Sequence, residues 1–149
     1  MKSDYWLHLK RTVKFGECDS AGIVHFHNLL NWAHQSWEES IHKYGISHKD
    51  IFPSTSNKIN RGLPIVNCEA KFFYPIELGC ILNIEIRPKK INNHLLQIKT
   101  IFFNESIKAA EVHIVHCSID LQTKEKIKLP NCLELWIEAS NLENKIKEC

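Results

Sequence analysis

From Asn28 to Tyr44 the apolar residues Leu30, Ala33, Trp37, Ile41 and Tyr44 recur at steps of three and four, the spacing that lines side chains along one face of an α-helix. Gly45 follows where a left-handed C-terminal cap belongs. The pattern predicts one long helix whose aromatic-laden stripe suits packing on a sheet. Ser47 to Arg61 carries Pro53, Ser54, Ser56, Asn57 and Asn60 and reads as a loop with room for one short helix.

Beyond that loop the period drops to two. Val66, Cys68, Ala70, Phe72 and Tyr74 alternate with Asn67, Glu69 and Lys71, which predicts a half-buried strand. "PIELG" (75–79) is a turn. Leu82, Ile84 and Ile86 then alternate with Asn83, Glu85 and Arg87 in a strand that Pro88 and "INN" are expected to break. "HLLQIKTIFF" (94–103) and "AAEVHIVHCSID" (109–120) predict two more strands across a short "NES" turn, and the short links make these strands antiparallel neighbours. Pro130-Asn131 ahead of Glu134 has the form of a helix start capped by Asn131. Leu133, Trp136 and Ile137 give this last, short helix a modest apolar side.

The predicted order is strand, long helix, four strands, short helix. That is an α+β layer pair, one helix against a curved antiparallel sheet. A sheet covered on one face leaves its other face and its edges to be hidden, so a homo-oligomer, a dimer at least, is expected.

A chain of 149 residues fits one domain, residues 1–149, and a domain of this size buries about 70% of its unfolded surface without needing staples. The formal charge of +2, with no block of like charges, argues against a dedicated binder of nucleic acid or membrane surface. No apolar run approaches the ~18 residues of a membrane span. The start, "MKSDYWLHLKR", lacks the apolar core of a signal peptide. The six cysteines (18, 68, 80, 117, 132 and 149) are irregularly spaced with no CxxC, so reduced thiols in a cytoplasmic protein are expected.

Several chemistries are disfavoured. The chain has no GxGxxG, GxxxxGK[ST], GxSxG or HExxH, and only five glycines. Of nine histidines, His25 and His27 are close in sequence, as are His113 and His116. A separation of three on a strand sends His113 and His116 to opposite faces, and no three ligands converge, so no metal is expected. Arg87, Lys89 and Lys90 form a basic cluster that is either a solvated turn or a landing place for a phosphorylated cofactor tail.

The most informative stretch is "FGECDSAGIVHFHNLLNW" (15–32), which sets Asp19 ahead of small residues at 20–22 and then the helix. Asp19 or Ser20 could simply cap the helix or close a turn. Alternatively, the free N–H groups at the helix start, near Phe26 and His27, face a carboxylate across a gap. The donors would polarise a carbonyl while the acid attacks it or activates water. The two readings stand level on these residues alone.

This stretch resembles the signature of hotdog-fold acyl-CoA thioesterases of the 4-hydroxybenzoyl-CoA thioesterase type, in which a strand ends in D-x-D-x-A-G-[IV]-V before an aromatic pair and a long central helix. "LPIVNCEAKFFYPIELG" (63–79) is similar to the strand after that helix. The likeness runs from about Lys10 to Leu129. It implies a hotdog fold, an antiparallel sheet wrapped around one central helix, and no cofactor beyond the coenzyme A of the substrate. It places the catalytic acid at Asp19, with Glu17 for the first acid of the pair, and the amide of Phe26 on the thioester oxygen. Gly22, Val24, His25 and Phe26 would form the substrate site, with His25 replacing an aromatic residue. The family's basic run for the cofactor phosphates is matched here by Asn92, Asn93 and His94, leaving Lys89 and Lys90 as the nearest substitutes.

The two stretches are most similar to the branch that hydrolyses 1,4-dihydroxy-2-naphthoyl-CoA on the way to phylloquinone or menaquinone, and the likeness implies a dimer or tetramer. Hydrolysis of 4-hydroxybenzoyl-CoA or of short-chain acyl-CoA is the alternative. Two non-enzymatic classes also remain: an acyl-CoA or acyl-carrier binding module on the same fold, and a dimerisation domain in which Asp19 only closes a turn.

Overall fold

Leu29, Trp32, Ala33, Ser36, Trp37, Ser40 and Ile41 form the buried stripe of the first helix, α1 (Phe26–Tyr44). They do so in a computed structural model that describes residues 5–55 and 58–148. The stripe is turned slightly from the expected one, since Leu29 is buried and Leu30 only half-buried. Neighbouring positions lie about 100° apart on a helix, and Trp32, the bulkiest apolar side chain nearby, decides between them. Gly45 ends the helix at φ 112°, and its N–H reaches the carbonyls of Ile41 and His42. This is the left-handed cap that glycine adopts without strain.

The strands are β1 (His8–Thr12), β2 (Arg61–Gly62), β3 (Ile65–Phe72), β4 (Ile81–Lys90), β5 (Leu95–Asn104), β6 (Ile107–Cys117) and β7 (Ile119–Asp120). Five make one antiparallel sheet in the order β1-β4-β5-β6-β3, and β2 pairs with β7 alone. The loop at 47–60 holds one 3-10 turn, His48–Asp50; its Ser56 and Asn57 lie outside the described residues.

Three expectations about the sheet need correction, and one about the last helix. First, β3 and β4 follow one another in sequence but lie apart, with β3 on the far edge beside β6. The sheet curves around α1, and residues 73–80 lead from the β3 edge to β4, inside the sheet between β1 and β5, passing the segment just before α1. Second, β3 is not half-buried: every residue is exposed except Ala70. Cys68, Ala70 and Phe72 sit opposite the buried Ile114, Val112 and Ala110, so they share the core-side face. Within one chain only Ala70 is partly covered, packed against the core, and Cys68 and Phe72 stay exposed.

Third, Pro88 does not break β4. The Ile86 N–H points outward to Leu7 O at 3.0 Å, so an N–H two residues later would point the same way. At that point β1 has ended, since it pairs only with residues 81–85. The missing donor of proline therefore costs no ladder bond.

The final helix, α2 (Asn131–Glu148), has 18 residues and is not short. It lies on the same side of the sheet as α1, burying Leu133, Trp136, Ile137 and Ser140. The core joins Trp32, Trp37 and Trp136 with Phe102 of β5. Two of its indole donors are paired across elements, Trp136 Nε1 donating to Ser40 Oγ and Trp6 Nε1 to Ser140 Oγ, both at 3.1 Å, whereas Trp37 Nε1 has no partner among the described residues. Satisfying such donors matters, because a buried one left unpaired costs about 1–3 kcal/mol. Among the described residues, no helix is long and apolar enough to cross a membrane.

Candidate active site

Chain connectivity brings three segments together at one end of the sheet. A 3-10 turn at Phe15–Glu17 follows β1, the bridge between Cys18 and Val24 pinches off residues 19–23, and α1 starts just beyond. The 76–79 segment laces the loop in place: Val24 N–H donates to Ile76 O at 2.9 Å, Leu78 N–H to Gly22 O at 3.1 Å and Gly79 N–H to Val13 O at 3.0 Å.

Asp19 closes this loop. Its Oδ1 accepts from the amides of Ala21 at 2.8 Å and Ile23 at 3.1 Å, and its carbonyl accepts from Gly22 N–H at 3.0 Å. Gly22 takes φ 78°, a left-handed conformation open to glycine at little cost. The turn-closing reading is therefore correct and the helix-capping one is not, because the N-cap of α1 is His25, which makes no side-chain cap bond. Turn closure uses only one carboxylate oxygen. Among the described residues, Oδ2 of this exposed acid has no partner.

The helix start supplies the complementary charge. His25 N–H donates to Glu17 O and Asn28 N–H to His25 O, each at 3.1 Å. Among the described residues, the amides of Phe26 and His27 have no acceptor. Such free amides carry the positive end of the helix dipole. Beside them lies a cleft of about 370 Å³ lined by Ile23, Val24, Phe26 and residues 72–75, nearly all apolar. That volume is within the usual range for a small-molecule site. Val24 is buried in the cleft while Phe26 is 67% exposed. Gly22 shapes the loop without lining the cleft. His25 and His27 are exposed, with ring centroids 5.3 Å apart.

Other chemistries find less support. Burial, with the charges of Asp19 and Glu17 next, pushes the Cys18 thiol up, and a protonated thiol is a poor nucleophile. No group of three His, Cys, Asp or Glu side chains able to hold a metal occurs among the described residues. His113 and His116 do point to opposite faces: His113 bonds Glu111 at 2.8 Å, whereas His116 is 1% exposed against α1.

The basic cluster lies elsewhere. Lys89 is eight residues along β4 from Ile81, about 26 Å at the rise of a strand, so one chain does not bring it to Asp19. Lys90 Nζ is held by Glu134 at 3.0 Å and Arg87 by Glu85 at 2.7 Å. Arg87 and Lys89 line a second cleft of about 450 Å³ with Gln97, Lys99, Asn141, Asn144 and Lys145.

Glu17 does more than fill a motif position. Its Oε2 accepts from Arg11 Nη2 at 2.9 Å and Trp32 Nε1 at 2.8 Å, and its Oε1 from Lys14 N–H at 2.9 Å. Burial pushes its pKa up, but these hydrogen bonds outweigh that and hold it below the ordinary carboxylate value. Sequence spacing gave no sign of a contact between residues 17 and 32.

An acid with one free oxygen, two free helix amides and an apolar cleft can attack or hydrate a carbonyl while stabilising the developing oxyanion. Known proteins agree with that chemistry. A 1,4-dihydroxy-2-naphthoyl-CoA hydrolase of Prochlorococcus marinus strain MIT 9515 is 59% identical over the full length of both chains. The crystal structure of a putative thioesterase from Prochlorococcus marinus strain MIT 9313 superposes with a TM-score of 0.90 at 40% identity, covering 94% of this chain and 99% of the other. That of a 1,4-dihydroxy-2-naphthoyl-CoA thioesterase from Synechocystis shares the fold, with a TM-score of 0.81 at 21% identity over 91% and 97% of the two chains. The sequence pattern of one family matches residues 13–137, most of the domain and all of the loop around Asp19, and the chain belongs to that family, the thioesterase-like superfamily of hotdog fold.

Proposed function

We propose that this protein hydrolyses 1,4-dihydroxy-2-naphthoyl-CoA to 1,4-dihydroxy-2-naphthoate and coenzyme A, with Asp19 as the catalytic carboxylate. The observation that carries the site assignment is the division of labour within Asp19. Oδ1 is spent on loop geometry and Oδ2 is left for chemistry, on the loop that leads into a helix whose first amides have no acceptor among the described residues. Oδ2 attacks the thioester carbon or takes a proton from the water that does. The carbonyl oxygen becomes an oxyanion on the Phe26 amide, and collapse expels the coenzyme A thiolate. Water completes the turnover, so no cofactor is required.

Val24 and Phe26 line the apolar cleft that suits the bicyclic ring. We assign Gly22 to shaping the loop and His25 to the ring hydroxyls. The coenzyme phosphates are assigned to the basic cleft, with Lys89 on its wall and Lys90 nearby. Lying about 26 Å along β4 from the loop, they serve a site completed by a second subunit. The exposed Ile65, Val66, Phe72, Phe73 and Tyr74 on and beside edge strand β3 support a homodimer, the unit of a dimer or tetramer. We place the protein in the cytoplasm; the five described cysteines are all free.

The test is release of free thiol from a panel of aromatic and straight-chain acyl-CoA thioesters. The naphthoyl thioester should be turned over fastest. Cleavage of straight chains alone would remove the acyl assignment, and no release from any thioester would leave a binding module. Asp19→Asn should lower kcat by a factor on the order of a hundred or more. Its melting temperature should barely move, because Asn closes such turns about as well. Wild-type turnover in that variant would refute the catalytic role.

A further inference from the structure

One residue ties together both ends of the loop that carries Asp19. The Glu17 carboxylate is anchored on β1 through Arg11, on the preceding turn through Lys14, and on α1 through Trp32. Trp32 is 1% exposed, and the Arg11 guanidinium lies 4.7 Å above its ring, so the anchor reaches the rigid core. The main-chain carbonyl of the same residue accepts from His25 N–H at 3.1 Å and Asn28 Nδ2 at 2.8 Å. Residues 17 and 25 therefore close a ring around the loop. Asp19 stands two residues after one end of it and the Phe26 amide one residue after the other.

We propose that Glu17 is a positioning residue that sets the spacing between the Asp19 carboxylate and the free amides of α1. The inference rests on the function proposed above. Its chemistry requires a carboxylate at residue 17, not merely a polar side chain. Three donors converge on two oxygens, and a carboxylate accepts all three. A glutamine offers one oxygen and one NH₂, so either Lys14 N–H or the Arg11–Trp32 pair would face a donor. Arg11 would also lose its charge partner. The loop would then relax against the helix start, and a displacement of about 1 Å at a reacting group can cost roughly a hundredfold in rate.

The experiment is a double-mutant cycle of Glu17→Gln with Asp19→Asn, read as kcat, KM and melting temperature on 1,4-dihydroxy-2-naphthoyl-CoA, with Glu17→Asp and Asn28→Ala alongside. In the wild-type background Glu17→Gln should lower kcat roughly ten- to a hundredfold, with KM within about twofold. Glu17→Asp, which keeps the charge, should recover part of that loss. In the Asp19→Asn background Glu17→Gln should cost less than about twofold, since no spacing is left to set. Asn28→Ala removes only the bond to the Glu17 carbonyl and should show the same pattern more mildly; it alone decides the matter if Glu17→Gln does not fold.

Unchanged kcat in the folded variants overturns the proposal, as does an equal loss in both backgrounds. Wild-type turnover in Asp19→Asn alone overturns the catalytic assignment and this role with it. That arm contains no change at Glu17, so the two failures are told apart.

Discussion

Lowering the pH from 7 towards 4 sets a proton against the packing around His116. Its ring lies between β6 and α1, with centroids 5.0 Å from Trp37 and 5.5 Å from His34. Nδ1 lies 2.8 Å from Leu63 O, which fixes it as the protonated nitrogen. Among the described residues, Nε2 is buried without a partner. A second proton would put a charged N–H there with no acceptor, beside His34, itself paired with Glu38 at 2.8 Å. Burial chiefly, and the neighbouring His34 charge, lower the pKa from 6.5 to about 4 against the opposing bond to Leu63.

The folded value lies below the unfolded one, so between about 6.5 and 4 the unfolded chain holds the extra proton. Stability falls with pH across that window and this group adds no further loss below it. The full difference is worth about 3 kcal/mol, and roughly 2.5 kcal/mol of it is lost by pH 4.5. Glu111, held at about 2 against burial by bonds from Lys108, His113 and Lys99, loses its contribution only as pH falls below about 4.5, so the two windows separate.

The assay is denaturant unfolding at pH 7.0, 5.5 and 4.5 on the wild type and on His116→Gln, which cannot titrate. The wild type should lose about 2.5 kcal/mol more than the variant. Equal losses in both proteins, or a His116 C2–H resonance titrating near pH 6.5 in the folded state, would refute the reasoning.

Two further outcomes are expected. Val66→Lys puts a charge on a strand residue that is 57% exposed in the single chain; it should shift sedimentation at micromolar concentration to the monomer and abolish turnover, and an unchanged oligomer would exclude β3 as the interface. Trp136→Phe removes the donor to Ser40 from a fully buried site and should cost about 2 kcal/mol in denaturant unfolding. Adding Ser40→Ala should then cost little, because both partners are gone; a second loss of similar size would argue against the hydrogen bond.

What the sequence made legible was local and periodic. α1 and its Gly45 cap follow from a one-sided stripe, and the opposite orientations of His113 and His116 follow from strand parity. The role of Pro88 was illegible because it depends on where β1 begins, eighty residues earlier in the chain at His8. The alternation in β3 shows which residues share a face and says nothing about whether another element covers it. The length of α2 was missed because its second half, from Asn141, has few apolar residues to mark a period. At the site, the motif pointed to Asp19 and to the helix amides. The clamp on Glu17 was hidden, because its partners Arg11 and Trp32 meet only after β1 and α1 have packed.

Pro88 has one more effect, on how many partners the sheet can accept. Past the short β1, which carries Lys10 and Arg11 among its five residues, the open side of β4 presents proline where a strand would need an amide. Charge and proline are the usual means of blunting such an edge. The opposite margin, β3, has no proline, its charges Glu69 and Lys71 are paired with each other at 3.3 Å, and Ile65, Val66 and Phe72 stay exposed on it. A sheet with one joinable margin has a valence of one: in the proposed homodimer two copies would join about a two-fold axis, and neither would have a margin left to offer a third. Growth of a continuous sheet into a fibre needs two. In that dimer the residue that looked like a strand breaker would serve as a chain terminator for assembly.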